Sequence, residues 1–399
     1  MNDERRIGRR TFLKSAVIST AGYASASLIA DIRQPGLPAC EQGTRSPFEQ
    51  LRKRVGGQML TYASTPIHQL HGMMTPSDLH FERSHSGTPA ISPDSYKLLI
   101  HGLVENSLTF TLAELKRFPS CSRITFLECS GNCQDYFKKG PQTTPQELAG
   151  QTSQSEWTGV ALPTLLRETG LKSKAKWLLA EGGDAALMTR SIPLGKALDD
   201  AMICYAQNGE AIRPEQGYPV RLLLPGWEGS SCVKWLRRLE VGDKPWMTRE
   251  ETAKYTEPLL NNTARQFSFV MDARSVITSP VYPAQLEKGW HEIRGLAWSG
   301  RGSIKRVEVS VDGGDHWQPA TLHGPVLDKA HTRFSLPWHW QGKDTLLLSR
   351  VTDSTGYRQP WVKELVAVRG IGSLHYHNNG IIGWRVKSDG CVYYEPVVG

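Results

Sequence analysis

The strongest constraint on the fold is a change in hydrophobic pattern near residue 260. Before that point, a buried-strand pattern such as residues 97–102 alternates with helix-like stretches such as residues 111–116, which Pro119 ends. Beyond it, apolar residues recur at every second position, the period of a β-strand with one buried face. The chain has 399 residues, enough for two domains with separate cores. The sequence therefore predicts an α+β first domain and an all-β second domain.

The second domain, residues 261–399, is predicted to consist of short strands. Valines occupy every second position in RVEVSV (306–311), and DGGD (312–315) then supplies a hairpin turn. Residues 345–351 and 362–368 are predicted to be further strands. Short strands at this spacing are typical of an immunoglobulin-like β-sandwich.

The first 34 residues have the features of an export signal. RRTFLK (9–14) precedes an apolar run, residues 15–30, and ASA (24–26) offers a small-residue cleavage site. The twin arginine predicts the Tat route to the periplasm, with a basic amphipathic arm as the alternative. Because this route carries folded proteins, its use favours the prediction that the protein contains a buried cofactor inserted before export. No run approaches the roughly 18 apolar residues of a membrane span.

Charge and cysteine content narrow the class of protein. The net charge is +8, of which five basic and two acidic residues lie in residues 1–30, so the mature chain keeps about +5. That balance suits an anionic cofactor or substrate, and no basic run with interleaved aromatics indicates nucleic-acid binding. Seven cysteines in so long a chain do not form the dense framework of a disulfide-stapled domain.

The most informative segment is an apolar strand that ends in a cysteine. Residues 124–128 are followed by Cys129 and small turn-forming residues, and a turn at a strand end can present a side chain to a ligand. A thiolate there would act as a nucleophile or a soft-metal ligand, while a buried structural cysteine is the alternative. The spacing of Cys129 and Cys133 leaves a second interpretation open, in which the two cysteines form half of a zinc or iron–sulfur site. No second cysteine or histidine pair in the sequence, however, has the spacing of metal ligands.

Several segments occur in the order seen in one family of enzymes. They are FERSH (81–85), ECSGN (128–132), GYPVR (217–221), PG (225–226), VKWL (233–236), GLAWSG (295–300) and VSVDGG (309–314). With these segments the chain resembles the sulfite oxidase family of molybdopterin enzymes. The resemblance implies a sulfite-oxidase-type molybdopterin-binding domain over residues 35–260, followed by an immunoglobulin-like dimerisation domain over residues 261–399.

Four further segments are similar to the molybdenum subunits of sulfane dehydrogenases, the SoxC type. They are SEWTGV (155–160), KALDDAM (196–202), NGEAIRPEQGYP (208–219) and KYT (254–256). This resemblance implies an oxidoreductase that oxidises sulfane sulfur on a carrier protein. It also implies a separate c-type cytochrome subunit as electron acceptor and a heterotetramer built on a homodimer of this chain. CxxCH is absent from the sequence, so no covalent haem is expected in this chain.

The resemblance also assigns roles to single residues. Cys129 would be the protein ligand of molybdenum, beside the dithiolene of one molybdopterin. Arg83 and Tyr255 would be catalytic, and Arg385 would be the arginine that the second domain contributes. The residues implied in cofactor binding are Phe81, His85, Cys129, Asp184, Gln216, Arg221, Cys232, Val233 and Lys234. Apart from the resemblance, Arg221 and Lys234 stand in apolar surroundings, where a bound phosphate would offset buried charge.

Two departures from the family pattern bear on the substrate. Cys133-Gln134 replaces the arginine expected after the molybdenum cysteine, and Gln216 replaces a histidine that contacts the pterin. Losing an anion-binding arginine weakens a pocket for free sulfite and favours a larger or less charged substrate, unless another arginine compensates. A periplasmic sulfite dehydrogenase is the first alternative, and a scaffold protein that has lost its cofactor is the second.

Overall fold

The computed structural model describes residues 43, 45, 46, 49, 51–56, 62–259 and 261–399. The twin-arginine pair, the apolar run and the cleavage site lie outside the described residues. Leu51–Gly399 forms one compact unit. Within the part of the chain that is described, no helix is long and apolar enough to cross a membrane.

The first domain contains two large, mostly antiparallel sheets. Its strands are β1 Arg54–Gly56, β2 Tyr62–Ser64, β3 Glu82–Arg83, β4 Lys97–Gly102, β5 Leu108–Thr111, β6 Ser120–Glu128, β7 Thr152–Ala161, β8 Trp177–Gly182, β9 Thr189–Pro193, β10 Met202–Gln207, β11 Glu210–Ala211, β12 Arg221–Leu223 and β13 Leu236–Gly242. One sheet has the order β11-β10-β7-β6 with β12 beside β10, and the other has the order β5-β4-β13-β8-β9. A small sheet, β1-β2-β3, lies apart from both.

The helices of the first domain are short and have local sequence signals. They are α1 Leu112–Leu115, α2 Pro145–Ala149, α3 Leu162–Thr169 and α4 Leu194–Asp199, with 3-10 turns at Ser77–Leu79 and Pro214–Gln216 and a π-helical turn at Glu250–Lys254. Helix α1 begins with a reciprocal capping box between Thr111 and Glu114. Strand β4 and helix α1 confirm the predictions made for residues 97–102 and 111–116.

The second domain is a sandwich of two sheets, as predicted. Its elements are β14 Glu257–Pro258, β15 Ala264–Arg265, β16 Arg274–Ser279, β17 Gly289–Trp298, β18 Ile304–Ser310, β19 Gln318–Pro319, β20 Thr321–His323, β21 Thr332–Trp340, β22 Thr345–Asp353, α5 Val362–Arg369, a 3-10 turn Ile371–Leu374, β23 Ile382–Val386 and β24 Val392–Pro396. The sheets have the orders β16-β17-β21-β20 and β19-β18-β22-β23-β24. Ile293 and Leu296 of one sheet and Val307 and Trp384 of the other belong to a single buried core.

The prediction of a strand over residues 362–368 is wrong, because this segment forms helix α5. Its buried side chains are Val362, Leu365 and Arg369, which follow each other at the helical spacing of three and four residues. The Glu364 carboxylate accepts a hydrogen bond from the Trp361 backbone N–H at 2.9 Å and so caps the first turn. Valine-rich composition suggested a strand, whereas capping and burial at helical spacing decide for a helix.

The two domains share one core where they meet. Phe126 on β6, Tyr136 and Leu148 belong to the same buried cluster as Trp298 and Trp384 of the sandwich. The chain between β6 and α2 is therefore packed against the second domain. Cys129 lies at the start of that segment.

Candidate active site

Cys129 follows directly after strand β6, as the sequence pattern predicts. Its backbone N–H donates to the Gln151 carbonyl at 3.0 Å, and its carbonyl accepts from the Asn132 N–H at 2.9 Å. The side chain is half-buried, and burial raises the pKa of its thiol. The turn thus holds the cysteine at the end of the strand with its side chain partly open.

Two adjoining cavities meet at Cys129. The inner one has a volume of about 670 Å³ including its opening to solvent and is lined by Phe81, Arg83, Ser84, His85, Leu127, Cys129, Met188, Gln216, Arg221, Gly229, Ser230, Cys232, Val233, Lys234, Trp235 and Tyr255. The outer one, about 2010 Å³ including its opening to solvent, shares Arg83, His85, Cys129 and Tyr255 with the inner one. The thiol therefore stands at the boundary between an inner pocket and an open chamber.

The inner cavity has a cationic end formed by Arg221 and Lys234. Arg221 donates to the Gln216 carbonyl and the Cys232 carbonyl, both at 2.9 Å, and its Nε has no partner. The Lys234 ammonium donates to the Glu215 carbonyl at 2.8 Å, and burial lowers its pKa to about 7. Within the described part of the chain neither cation forms an ion pair with a carboxylate. Two buried cations without a counter-charge are a site for an anion such as a phosphate.

A glycine allows the chain to approach these cations closely. Gly217 has φ +111°, and a Cβ there would lie 3.1 Å from the Arg221 Cβ and 3.1 Å from the Lys234 Cα. A side chain would push both residues away. Without one, the preceding carbonyls of Glu215 and Gln216 reach the two cationic groups.

Two neutral histidines stand beside the inner cavity. Burial and the nearby Arg83 lower the pKa of His85 to about 4. Burial lowers the pKa of His80 to about 3, its ring stacks on Phe81 with centroids 5.3 Å apart, and its Nε2 has no partner. His80 is not among the residues that the sequence pattern predicted for the site. Both rings are uncharged at neutral pH and provide hydrogen-bonding groups without adding to the charge of Arg221 and Lys234.

Tyr255 follows the π-helical turn and lines both cavities. The Arg190 guanidinium lies 4.7 Å from its ring centroid. Arg190 is itself held by Glu251, at 2.9 Å from Nε, and by Glu228, at 2.7 Å from the terminal nitrogen. Burial raises the pKa of Tyr255, so the phenol keeps its proton and can donate a hydrogen bond.

Sequence reasoning missed Arg190, although a signal for it exists. Arg190 lies on β9 between Thr189 and Ser191, with Met188 and Ile192 outside them, and its side chain is buried. This signal is weaker than the one at Arg221, which lies in an uninterrupted apolar run. Nothing local, however, distinguishes an arginine that pairs with carboxylates from one that lines a binding cavity.

The second domain contributes an aromatic wall rather than an arginine. The ring of Tyr376 lies 5.4 Å from that of Tyr255, and His375 lies 4.3 Å from Tyr376, with both lining the outer cavity. Arg385 does not reach either cavity, which corrects the prediction for this residue. Its guanidinium hydrogen-bonds Glu395 at 2.8 Å and Asp344 at 3.2 Å.

Strand geometry explains the position of Arg385. Its neighbours on β23, Trp384 and Val386, are buried in the sandwich core. Successive side chains of a strand point to opposite faces, so Arg385 points away from that core. The compensating arginine that the sequence left open is thus not Arg385, and the cations of the outer cavity are Arg54, Arg83, Lys139, Arg249 and Lys254.

Of the remaining predicted residues, four line the inner cavity and one supports a neighbouring loop. Phe81, Gln216, Cys232 and Val233 line the inner cavity, and the Gln216 amide donates to the Phe81 carbonyl at 2.8 Å. Asp184 lines neither cavity. Its carboxylate accepts from the Ser86 hydroxyl at 3.0 Å and from the Met188 N–H at 3.3 Å, so it shapes the loop beside the site.

These residues fit an anionic cofactor that brings a metal with its own ligands. Among the described residues, no group of three or more His, Cys, Asp or Glu side chains is placed to hold a metal ion. Cys129 offers one thiol at the cavity boundary, and Arg221, which lines the same cavity, has an Nε without a hydrogen-bond partner. Burial raises the pKa of Cys133 to about 11, and its backbone carbonyl is bonded to the Asn378 amide.

Comparison with known families finds two matching domains. Residues 85–250 match the oxidoreductase molybdopterin binding domain, and residues 265–383 match the Mo-co oxidoreductase dimerisation domain. Both matches lie within the two domains described above. The boundary between them falls in the region where the hydrophobic pattern changes.

Similar proteins include sulfite oxidases and nitrate reductases. Mitochondrial sulfite oxidase of Rattus norvegicus is 29% identical over 379 residues, which cover 87% of this chain and 68% of that protein. Sulfite oxidase of Gallus gallus is 30% identical, covering 81% of this chain and 76% of that protein. An NADH nitrate reductase of Solanum lycopersicum is 31% identical, but the match covers only 35% of its length.

A solved structure is similar over nearly the whole chain. The crystal structure of the sulfane dehydrogenase SoxCD from Paracoccus pantotrophus superposes with a TM-score of 0.81. Its sequence is 44% identical, and the match covers 94% of this chain and 95% of that one. The match therefore spans both domains.

Proposed function

Because this chain belongs to the sulfite oxidase family of molybdopterin oxidoreductases, we propose that it is the molybdenum subunit of a sulfane dehydrogenase of the SoxC type. The observation that carries the proposal is the position of Cys129. Its half-buried thiol stands between a cationic inner cavity, which suits a phosphate-bearing cofactor, and a wide outer cavity open to substrate. The 44% identity to a sulfane dehydrogenase selects this branch of the family.

Five residues of the inner cavity have defined tasks in this proposal. A bound molybdenum–molybdopterin cofactor would supply two-electron redox chemistry. Cys129 would hold the metal as a thiolate, while Arg221 and Lys234 would bind the cofactor phosphate. Tyr255 would donate a hydrogen bond to substrate, because burial keeps its phenol protonated. Arg83, which lines both cavities, would attract the anionic sulfur group.

The outer cavity supports a carrier-bound substrate. Its volume of about 830 Å³, counted without the open solvent at its mouth, exceeds the space that a small oxyanion needs. Cys133 and Gln134, which both lie in its wall, stand where the family pattern has an arginine, so one anion-binding group is missing. Such a chamber admits an extended polypeptide arm that carries a sulfane sulfur on a cysteine. The other candidate is oxidation of free sulfite, which the similarity to sulfite oxidases and the remaining cations of the chamber favour.

Partners and location complete the proposal. Electrons would pass to a separate c-type cytochrome subunit, and the matched dimerisation domain supports a homodimer of this chain. The twin-arginine segment at residues 9–14 supports export to the periplasm. Co-purification of a cytochrome with the exported chain checks the first point, and cell fractionation checks the second.

A competition assay separates the two substrates. The purified complex is given a cytochrome acceptor and either a carrier protein with a persulfidated cysteine or free sulfite. We expect kcat/KM to be higher for the carrier persulfide in the wild type. Gln134→Arg should shift the preference toward sulfite, because it restores an anion-binding group. A wild-type preference for free sulfite would overturn the carrier proposal, and a mature protein without molybdenum would overturn the cofactor assignment.

A further inference from the structure

The turn that presents Cys129 belongs to the first domain but is held by the second. The His377 N–H donates to the Ser130 carbonyl at 2.7 Å, and the Asn378 amide donates to the Cys133 carbonyl at 3.2 Å. The Tyr136 hydroxyl donates to the Ile381 carbonyl at 2.6 Å. Each of these contacts joins residues that are at least 245 positions apart in the sequence. The segment after β6 is thus fastened along its length by one stretch of the sandwich.

Glu128, the residue before Cys129, is the centre of a second set of contacts. One carboxylate oxygen accepts from the Arg274 guanidinium at 2.7 Å and from the Asn132 amide at 2.9 Å. The other oxygen accepts from the Trp298 indole N–H at 2.6 Å. Arg274 begins β16 and Trp298 ends β17, so two neighbouring strands of the second domain grip this carboxylate.

These contacts leave the Glu128 side chain little freedom. Glu128 and Arg274 are each 1% exposed and Trp298 is fully buried. A buried carboxylate is costly unless donors surround it, and here three side chains supply donors in fixed directions. Because Glu128 and Cys129 share a peptide unit, fixing one restricts the backbone of the other. The position of the thiol is therefore coupled to the second domain.

We propose that Glu128 is a positioning residue for Cys129, and that the second domain, through Arg274 and Trp298, sets how the metal-binding thiol is presented. The inference rests on the proposed role of Cys129 as metal ligand. It gives the sandwich a task at the active site in addition to dimerisation. Nothing in this task requires Glu128 to touch cofactor or substrate.

The test compares Glu128→Gln with the wild type in two forms of the full-length protein. In the cofactor-free form, the rate of Cys129 alkylation by iodoacetamide is followed by peptide mass mapping. In the molybdenum-loaded form, the electron paramagnetic resonance of Mo(V) reports the geometry at the metal. Since losing a group that orients a metal ligand typically costs about 10- to 100-fold in metal affinity or activity, we expect an effect of similar size here, alkylation about 10-fold faster, together with shifted Mo(V) g values. Arg350→Met, which removes an ion pair with Glu308 inside the second domain, is the matched control.

A double variant separates positioning from stability. Glu128→Gln with Arg274→Met removes both buried charges, so we expect thermal stability closer to the wild type while alkylation and g values stay altered. If Glu128→Gln does not fold, Trp298→Phe removes one donor without changing charge, and the same two readouts apply. Folded variants with wild-type alkylation rates and g values would overturn the proposal. Absence of molybdenum from the wild type is a different result, because it contradicts the proposed function and leaves the alkylation comparison intact.

Discussion

The guanidinium of Arg190 lies 4.7 Å from the ring centroid of Tyr255 and is paired with two buried carboxylates. Burial alone would raise the pKa of Glu228, but Arg190 and His377 lower it to about 2. Burial would lower the pKa of Arg190, but Glu228 and Glu251 raise it in turn, so Arg190 and Glu228 stay ionised and keep their hydrogen bond. Tyr255 rests against a rigid cationic surface at the boundary of the two cavities.

We expect Arg190→Lys to lower kcat about 10- to 100-fold while molybdenum content stays at the wild-type level. Lysine keeps the positive charge, but it lacks the planar fork that bonds Glu228 and Glu251 together. Tyr255 then loses its fixed neighbour and its orientation. Steady-state kinetics with metal analysis measure both quantities, and Arg350→Lys is the control. An unchanged kcat in a fully loaded Arg190→Lys protein would contradict this role.

We expect Cys129→Ser to abolish turnover while the protein still binds molybdopterin. The cationic contacts of Arg221 and Lys234 are separate from the thiol, so the cofactor phosphate keeps its site. A serine hydroxyl is a poor replacement for a soft thiolate ligand. Activity and pterin content of the purified variant are the measurements, with Cys391→Ser as a control at a half-exposed cysteine. Wild-type turnover in Cys129→Ser would remove the central assignment.

Lys234 should make the stability of the cofactor-free protein depend on pH. Burial lowers its pKa in the folded state from 10.5 to about 7. Below pH 7 both states carry the proton, and the folded state bears the full cost of a buried charge. Between pH 7 and 10.5 the unfolded state binds more protons, so stability gains from this group as pH rises.

Lys234→Met should therefore be more stable than the wild type below pH 7 when both lack cofactor, with the difference shrinking toward pH 10. Urea unfolding at several pH values measures it, and Lys387→Met is the control at a half-exposed lysine. Bound cofactor should reverse the order, because its phosphate compensates the charge in the wild type alone. Identical pH dependence of the two proteins would refute a buried, unpaired Lys234.

Arg385→Met should leave turnover and molybdenum content unchanged, because its guanidinium pairs with Glu395 and Asp344 away from both cavities. The pair is partly exposed, so the loss of stability should be about 0 to 1 kcal/mol. Kinetics and thermal unfolding of the variant check both statements. A large fall in kcat with normal folding would restore the catalytic role that the sequence predicted.

The sequence was most informative where the signal is local. Strand β6 ends at Glu128, before a run of turn-forming residues, and α1 begins at a capping box that the sequence spells out. Arg221 and Lys234 were recognisable as charges within apolar runs, a pattern that requires either a partner or a ligand. Family segments then indicated what that ligand is. Helix α5 shows the limit of local patterns. Its valine-rich composition predicts a strand, although its buried side chains recur at helical spacing.

The sequence by itself determined the two-domain order, the strand that ends at Cys129 and the cationic pair, because periodicity, turn chemistry and buried charge act over a few residues. Only the tertiary structure decided which distant groups meet. Glu128 and Arg274 are 146 residues apart, and Arg190 and Tyr255 belong to different segments of the first domain. Such contacts depend on how sheets pack and which face each strand buries. Sheet packing and strand orientation also place Arg385 away from the cavities and Tyr376 in the wall of the outer one.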